Sequence, residues 1–404
     1  MKTAPKSLRL HIALFGRTNV GKSSFLNLIT GQDVSIVSEQ PGTTTDVVEK
    51  TMELLPIGPV VFIDTAGLDD TTILGDKRVG KTEKVFGRAD VILLICEGDQ
   101  FGSFEKAVCE KAGNTPVIRV ANKSDLLDPS DSSDICCNST DLLSREKVLS
   151  QLKACLLAVC PEEFIQPPPL VGDLVKPGGI AMLIVPIDLQ APKGRLILPQ
   201  VSTIRDALDN DAAALVVKER EYTHMLNQLK APPDLVICDS QVVLKMVGDT
   251  PNSIPCTTFS ILFARLKGDL PKFAAGAAAI DGLKDGDKVL IAESCSHHAA
   301  EDDIGRVKIP RWLRQYCGCD LQIDVYAGRD FPENLSEYNL VVQCGGCMHN
   351  RREILSRIEK CEAAGVPITN YGLCISQTQG VLKRVLSPFP AALDAYERKL
   401  TSNA

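Results

Sequence analysis

At 404 residues the chain exceeds one ordinary domain, and about 150 residues per domain suggests two or three. A net charge of −7 argues against a nucleic-acid binder working through a broad basic face, and 44% hydrophobic content argues against disorder. No run of 18 apolar residues is present to span a membrane.

Residues 8–165 alternate apolar strands, at 10–14, 60–63, 91–95 and 117–120, with helical patterns. This predicts a doubly wound α/β unit over 1–165. The first apolar stretch runs straight into a glycine-rich motif, so it reads as the first strand and not as a signal peptide. Gln166-Pro167-Pro168-Pro169 then breaks the pattern with a stiff extended linker.

A second α/β pattern follows over 171–265, with strands expected at 180–185, 213–217 and 235–238. It has no chemical motif, and a dimerisation role is the expectation. A third α/β unit covers 270–404, with strands at 288–292, 321–325 and 340–342 and helices near 311–316, 350–364 and 377–386.

Gly16-Arg17-Thr18-Asn19-Val20-Gly21-Lys22-Ser23 matches the P-loop pattern, after a strand and before a helix over 24–29. Backbone N–H groups around Gly16, Val20, Gly21 and Ser24 would face phosphate oxygens at a helix N-terminus. Lys22 would reach the β- and γ-phosphates, and the Ser23 hydroxyl would hold Mg²⁺. Asp64 and Gly67 in Asp64-Thr65-Ala66-Gly67 suit a water-bridged metal contact and an N–H to the γ-phosphate. In Asn122-Lys123-Ser124-Asp125, the Asp125 carboxylate can accept from guanine N1–H and the 2-amino group, which selects GTP over ATP. Asn122 and Lys123 would support that loop and the base, and the three motifs in this order make residues 1–165 a P-loop GTPase domain of the translation-factor-like type. Gln40-Pro41-Gly42-Thr43-Thr44-Thr45-Asp46 lies where the first switch belongs, with Thr44 chosen to close on Mg²⁺. Leu68 stands where some GTPases carry a water-orienting glutamine, so intrinsic turnover from GTP to GDP should be slow; Asp69 and Asp70 read as switch-loop surface.

The Pro-Gly-Thr-Thr arrangement resembles the GTPases that include the tRNA-modifying MnmE and the ribosome-assembly proteins Era and EngA. In that group an asparagine at the Asn19 position often binds K⁺ in place of an arginine finger, which implies K⁺-stimulated hydrolysis here.

Fifteen cysteines are many for a chain without a signal sequence. A cytoplasmic setting keeps thiols reduced, so ligation, catalysis or burial must account for them. Cys344-Gly345-Gly346-Cys347 alone is ambiguous among zinc, iron–sulfur and redox uses. Cys295-Ser296-His297 also follows a strand directly, and parallel strands send their C-terminal ends to one edge. Cys295, Cys344 and Cys347 can therefore converge. Three thiolates suit a [4Fe–4S] cluster, Cys₃His zinc is the rival, and a structural role stays open. Cys317-Gly318-Cys319 and Cys374 read as packing, as do Cys96, Cys109, Cys136, Cys137, Cys155 and Cys160. His349 reads as a helix-start surface residue, and His11 and His224 have no chemical partner in sequence.

A GTPase domain, a middle domain and a C-x-H…C-G-G-C pattern, in this order and length, resemble the HydF family of [FeFe]-hydrogenase maturation GTPases. The resemblance implies a [4Fe–4S] cluster on Cys295, Cys344 and Cys347 in the third domain. It also implies a carrier, a homodimer if the middle domain serves dimerisation, that accepts a di-iron precursor from two radical-SAM maturases and delivers it to apo-hydrogenase. The family commonly has histidine where this chain has Gln343, a poor iron ligand, so that histidine is not required here. His297 is then the candidate fourth ligand, with His298, Asp302 and Asp303 as substitutes, and an open position also fits. The rival of another class is an RNA-directed GTPase for tRNA modification or ribosome assembly, with structural or zinc-binding cysteines.

Overall fold

Strand β1 (Leu10–Phe15) is buried along its whole length, because it lies inside a six-stranded sheet covered on both faces. The computed structural model describes residues 5–31, 48–65, 84–98, 101–125, 133–165, 168–186, 196–294, 303–328 and 330–403. The chain divides into two compact units, residues 1–167 and 168–404.

In the first unit β2 (Val48–Leu54), β3 (Gly58–Asp64), β4 (Val91–Glu97), β5 (Val117–Asn122) and β6 (Ile135–Cys136) complete a sheet of order β2-β3-β1-β4-β5-β6. Only the β2–β3 pairing is antiparallel. Strand alternation sorts the apolar residues by face. Leu10, Ile12 and Leu14 pack with Phe25 and Leu26 of α1 (Lys22–Thr30) and with Leu152 of a helix over Arg145–Val159. Ala13 and Phe15 pack on the other face with Phe104 and Val108 of α2 (Ser103–Ala112), and Phe15 stacks on Phe86. Each such fully buried aromatic side chain contributes about 1.5–3 kcal/mol.

The second unit holds two four-stranded parallel sheets. One has β7 (Ile180–Ile184), β8 (Ala213–Val217), β9 (Leu235–Cys238) and β10 (Cys256–Thr258) in the order β10-β9-β7-β8. The other has β11 (Lys288–Ala292), β12 (Gln322–Tyr326), β13 (Leu340–Gln343) and β14 (Ile368–Asn370) in the order β12-β11-β13-β14. A single core runs through both, from Met182 and Ile237 to Leu290 and Val341. Helices α3 (Phe259–Lys267) and α4 (Leu270–Ala278) bridge the sheets and meet at Gly268-Asp269. Each has its own start signal: Thr258 Oγ1 accepts from Ile261 N at 3.2 Å, and Asp269 Oδ1 from Lys272 N at 3.0 Å.

Two expectations need correction. The helix expected over 377–386 is two helices, α6 (Tyr371–Thr378) after α5 (Arg351–Ala363), then a short one at Leu382–Leu386. The break falls at Gly380, whose φ of +71° is left-handed and ends a helix. The antiparallel edge strand β2 and the two- and three-residue strands β6, β10 and β14 are additions to the parallel pattern.

Candidate functional site

The phosphate loop joins β1 to α1 at the C-terminal edge of the first sheet. Gly21 has φ +93°, and a Cβ there would overlap the Asn122 amide, so a side chain is excluded twice over. Lys22 is buried and its Nζ donates to the carbonyls of Gly16 at 2.6 Å and Arg17 at 2.9 Å. Ser23 Oγ donates to Asp64 Oδ2 at 3.1 Å, which brings together a hydroxyl and a carboxylate suited to Mg²⁺. Register explains that meeting, since Leu14 at the end of β1 pairs with Asp64 at the end of β3. Asn19 and Ser24 are exposed, and Asn19 sits at φ +65°, a region asparagine tolerates.

Asn122 is buried and central. Its Nδ2 donates to Val20 O at 2.8 Å, and its Oδ1 accepts from Ser139 N at 3.0 Å and Ser139 Oγ at 2.7 Å. Lys123 pairs with Glu97 at 3.0 Å, and Asp125 is exposed beside it. An exposed carboxylate at the end of β5, on a braced loop, can present both oxygens to a purine edge. Ser139, brought in by β6, and Glu105, paired in bidentate fashion with Arg17 at 2.9 and 2.7 Å, belong to the site but to none of the sequence motifs that mark it. Thr44, Gly67, Leu68, Asp69 and Asp70 lie outside the described residues.

The cysteine loop lies at the C-terminal edge of the last sheet. Ala292 pairs with Gln343 in register, so the segments leaving β11 and β13 start side by side. Cys344 Sγ accepts from Ser294 N at 3.1 Å, lies 2.9 Å from Ser294 Oγ, and has Gly346 N at 3.5 Å. Such donors hold the sulfur in one orientation, as a ligating cysteine requires. Cys347 is exposed on the same turn. Surrounding protein raises its thiol pKa, the nearby Cys344 adds to this, and the Lys267 ammonium opposes it. Cys295, Ser296, His297, His298 and Asp302 lie outside the described residues. Among the described residues no group of three His, Cys, Asp or Glu side chains is arranged to hold a metal ion.

Gln343 is buried and turned away from a ligand role. Its Oε1 accepts from Arg357 Nη1 at 2.8 Å, which leaves its Nε2 3.6 Å from Cys344 Sγ. Asp303 is also buried, with Oδ1 accepting from Arg306 N at 2.8 Å as a helix cap. His349 is a correction: it is 2% exposed and lies 3.5 Å from Glu353, because the loop folds it under the start of α5. His11 also has a partner, its backbone N–H meeting buried Asp90 at 2.8 Å. The remaining cysteines behave as packing. Burial pushes the Cys96 and Cys137 thiols up to about 11, and those of Cys317 and Cys361 to about 12, where no nucleophile forms near neutrality. Cys374 is buried in the core.

The donor set fits an anionic, thiolate-held group. Two thiols share one loop, one of them accepts several hydrogen bonds, and a buried ammonium, Lys267, lies beneath. Lys267 Nζ donates to Gly346 O at 2.8 Å and His349 O at 2.9 Å, and burial lowers its pKa to about 8.

Comparison with known proteins settles the family. Residues 170–268 match the hydrogen maturase F dimerization domain, and residues 271–388 match the hydrogen maturase F tetramerization domain. The chain belongs to the hydrogen maturase F family, HydF. Residues 11–123 match the 50S ribosome-binding GTPase family, so the first unit of this HydF chain is a GTPase domain. There it is similar to the tRNA modification GTPase MnmE of Prochlorococcus marinus (strain NATL1A), 41% identical over 121 residues, 29% of this chain and 26% of that one. MnmE of Bordetella petrii is 40% identical over 122 residues, 30% of this chain and 27% of that one. The chain thus spans about a quarter of the length of the curated relatives it matches. Aquifex aeolicus Era, at 20% identity and a TM-score of 0.29, covers 52% of this chain and 91% of that one, an overlap too slight to support an inference. No helix among the described residues is long and apolar enough to cross a membrane.

Proposed function

We propose that the chain is a GTP-hydrolysing scaffold of [FeFe]-hydrogenase maturation that holds a [4Fe–4S] cluster, accepts a di-iron precursor and delivers it to apo-hydrogenase. One observation supports this above the others: Ser294, the residue before Cys295, bonds the Cys344 sulfur in a chain with hydrogen maturase F domains. Cys295, Cys344 and Cys347 would hold the cluster, and His297 or an exchangeable position would complete it. A bound cluster of this kind supplies an iron site to which a second iron species can attach. Gln343 then acts from outside the ligand set, its amide held toward the Cys344 sulfur by Arg357.

In the first unit Lys22 would meet the β- and γ-phosphates, while Ser23, Thr44 and a water on Asp64 would hold Mg²⁺. Gly16, Val20, Gly21, Ser24 and Gly67 would offer backbone N–H groups to phosphate oxygens. Asp125 would read guanine, with Asn122 and Lys123 bracing its loop, and Asn19 would hold K⁺. GTP binding would order the Thr44 and Gly67 segments and so regulate partner exchange.

The working division is a GTPase domain over 1–165, a dimerisation domain over 171–265 and a cluster domain over 270–404. The names of the matched domains support assembly beyond a dimer. Two radical-SAM maturases are the proposed donors, in the cytoplasm. The RNA-directed reading has support only from the GTPase domain, where the MnmE likeness lies.

Delivery has a direct test. Protein purified from cells containing both maturases should confer hydrogen evolution on apo-hydrogenase, and protein from cells lacking them should not. Equal inactivity of both preparations, with apo-hydrogenase shown competent, contradicts the carrier role.

A further inference from the structure

Lys267 is the last residue of α3, in the segment matching the dimerization domain, yet its ammonium lies inside the cysteine loop of the next domain. It is 2% exposed. Lysine is almost never buried so fully without a partner, and removing an ammonium from water costs several kcal/mol. Its acceptors, Gly346 O and His349 O, are neutral carbonyls flanking Cys347 on either side. They anchor the cation and fix the turn but carry no formal charge; the charged groups that favour it are the Cys347 and Cys344 sulfurs and, after them, the Glu353 carboxylate. The face of Phe263, 5.7 Å away, adds a weak attraction.

The contact is reciprocal. Arg351, in the first turn of α5, sends Nη1 back to Leu266 O at 3.0 Å and Gly268 O at 2.9 Å, the carbonyls on either side of Lys267. A cation thus crosses the domain boundary in each direction at one point. Gly346, His349 and Arg351, before and after Cys347, are tied to the C-terminus of one helix, whose own dipole favours positive charge there.

We propose that Lys267 is a positioning residue of the cluster site: it holds the Cys344–Cys347 turn in its ligating shape and places a buried positive charge against the thiolate-bound group. The inference rests on the cluster reading given above. A thiolate-held iron–sulfur group is anionic and becomes more so on reduction. A fixed cation in a poorly solvated place stabilises the reduced form more than the oxidised one, and so raises the reduction potential. The anionic group in turn adds to Glu353 the counter-charge that the neutral carbonyls do not supply.

The test uses the full chain, anaerobically reconstituted with iron and sulfide, with Lys267→Met, Lys267→Gln and Lys267→Arg beside the wild type. Iron and sulfide content, the EPR spectrum of the dithionite-reduced protein and the midpoint potential are read for each. Lys267→Met and Lys267→Gln are expected to move the potential to more negative values and change the EPR g-values, with Lys267→Arg restoring most of the wild-type signature. Wild-type potential and spectrum in both neutral variants would overturn the proposal and leave Lys267 as a domain staple. Should Lys267→Met fail to fold, circular dichroism shows it, and the Lys267→Gln against Lys267→Arg contrast decides. A wild type that takes up no iron and sulfide overturns the cluster reading itself, and this inference with it.

Discussion

Asn122 joins segments that the sequence keeps far apart: its amide closes the phosphate loop at Val20 and the loop after β6 at Ser139. Loss of its side chain would leave both a buried carbonyl and a buried hydroxyl unmatched, at about 1–3 kcal/mol each. Asn19 is the opposite case, exposed and held at φ +65° on the outer rim of the loop, free to turn its carbonyl oxygen toward a ligand. If it binds K⁺ beside the phosphates, hydrolysis should rise several-fold when K⁺ replaces Na⁺, and Asn19→Ala should remove the difference. Equal rates in both salts would remove the cation from the account. Single residues also show what a sequence hides. Lys267 and Arg357 carry no motif, and a lysine at a helix end is ordinarily solvated. Their importance comes from the fold, which places Lys267 under Gly346 and Arg357 against Gln343. His349 was unreadable for the same reason, because its burial depends on how the loop before α5 turns.

Elements were more legible than residues. Strands buried on both faces are continuous apolar runs, so β1, β4, β7 and β13 stand out. The strands β10, Cys-Thr-Thr, and β14, Ile-Thr-Asn, have three residues each and no run to display. They exist because a neighbouring strand offers a parallel edge. The phosphate loop, Asp64 and the Asn122–Asp125 segment were legible as motifs because each follows the end of a buried strand. Packing between elements was not legible. Gly276 of α4 lies so close to β14 that a Cβ there would overlap the Ile368 carbonyl oxygen. Gly276→Ala should therefore destabilise the second unit by about 1–3 kcal/mol, against the usual gain from alanine in a helix. Thermal unfolding of the whole chain checks this, and an unchanged or raised Tm would show that α4 can move away from the sheet at no cost.

At the scale of the whole molecule, the chain is two compact units, and its two proposed chemistries fall one in each. Lys22→Ala removes the charge proposed to meet the phosphates, and GTP hydrolysis should fall by about 100-fold or more. Iron content should stay at the wild-type level, since Cys344 and Cys347 lie in the other unit. Loss of iron in that variant would show that the units do not fold and load independently. The second unit is less divisible than its composition suggests. One core joins its two sheets, and the Lys267–Gly346 and Arg351–Leu266 contacts tie the dimerization segment to the cysteine turn.

The measurement that bears most directly on the account is anaerobic iron and sulfide analysis with EPR of the reduced protein, wild type beside Cys344→Ala. About four irons and four sulfides per chain with a reduced-cluster signal are expected for one [4Fe–4S] group, with loss of that signal in the variant. Zinc without sulfide, or an unchanged signal after Cys344→Ala, would contradict it.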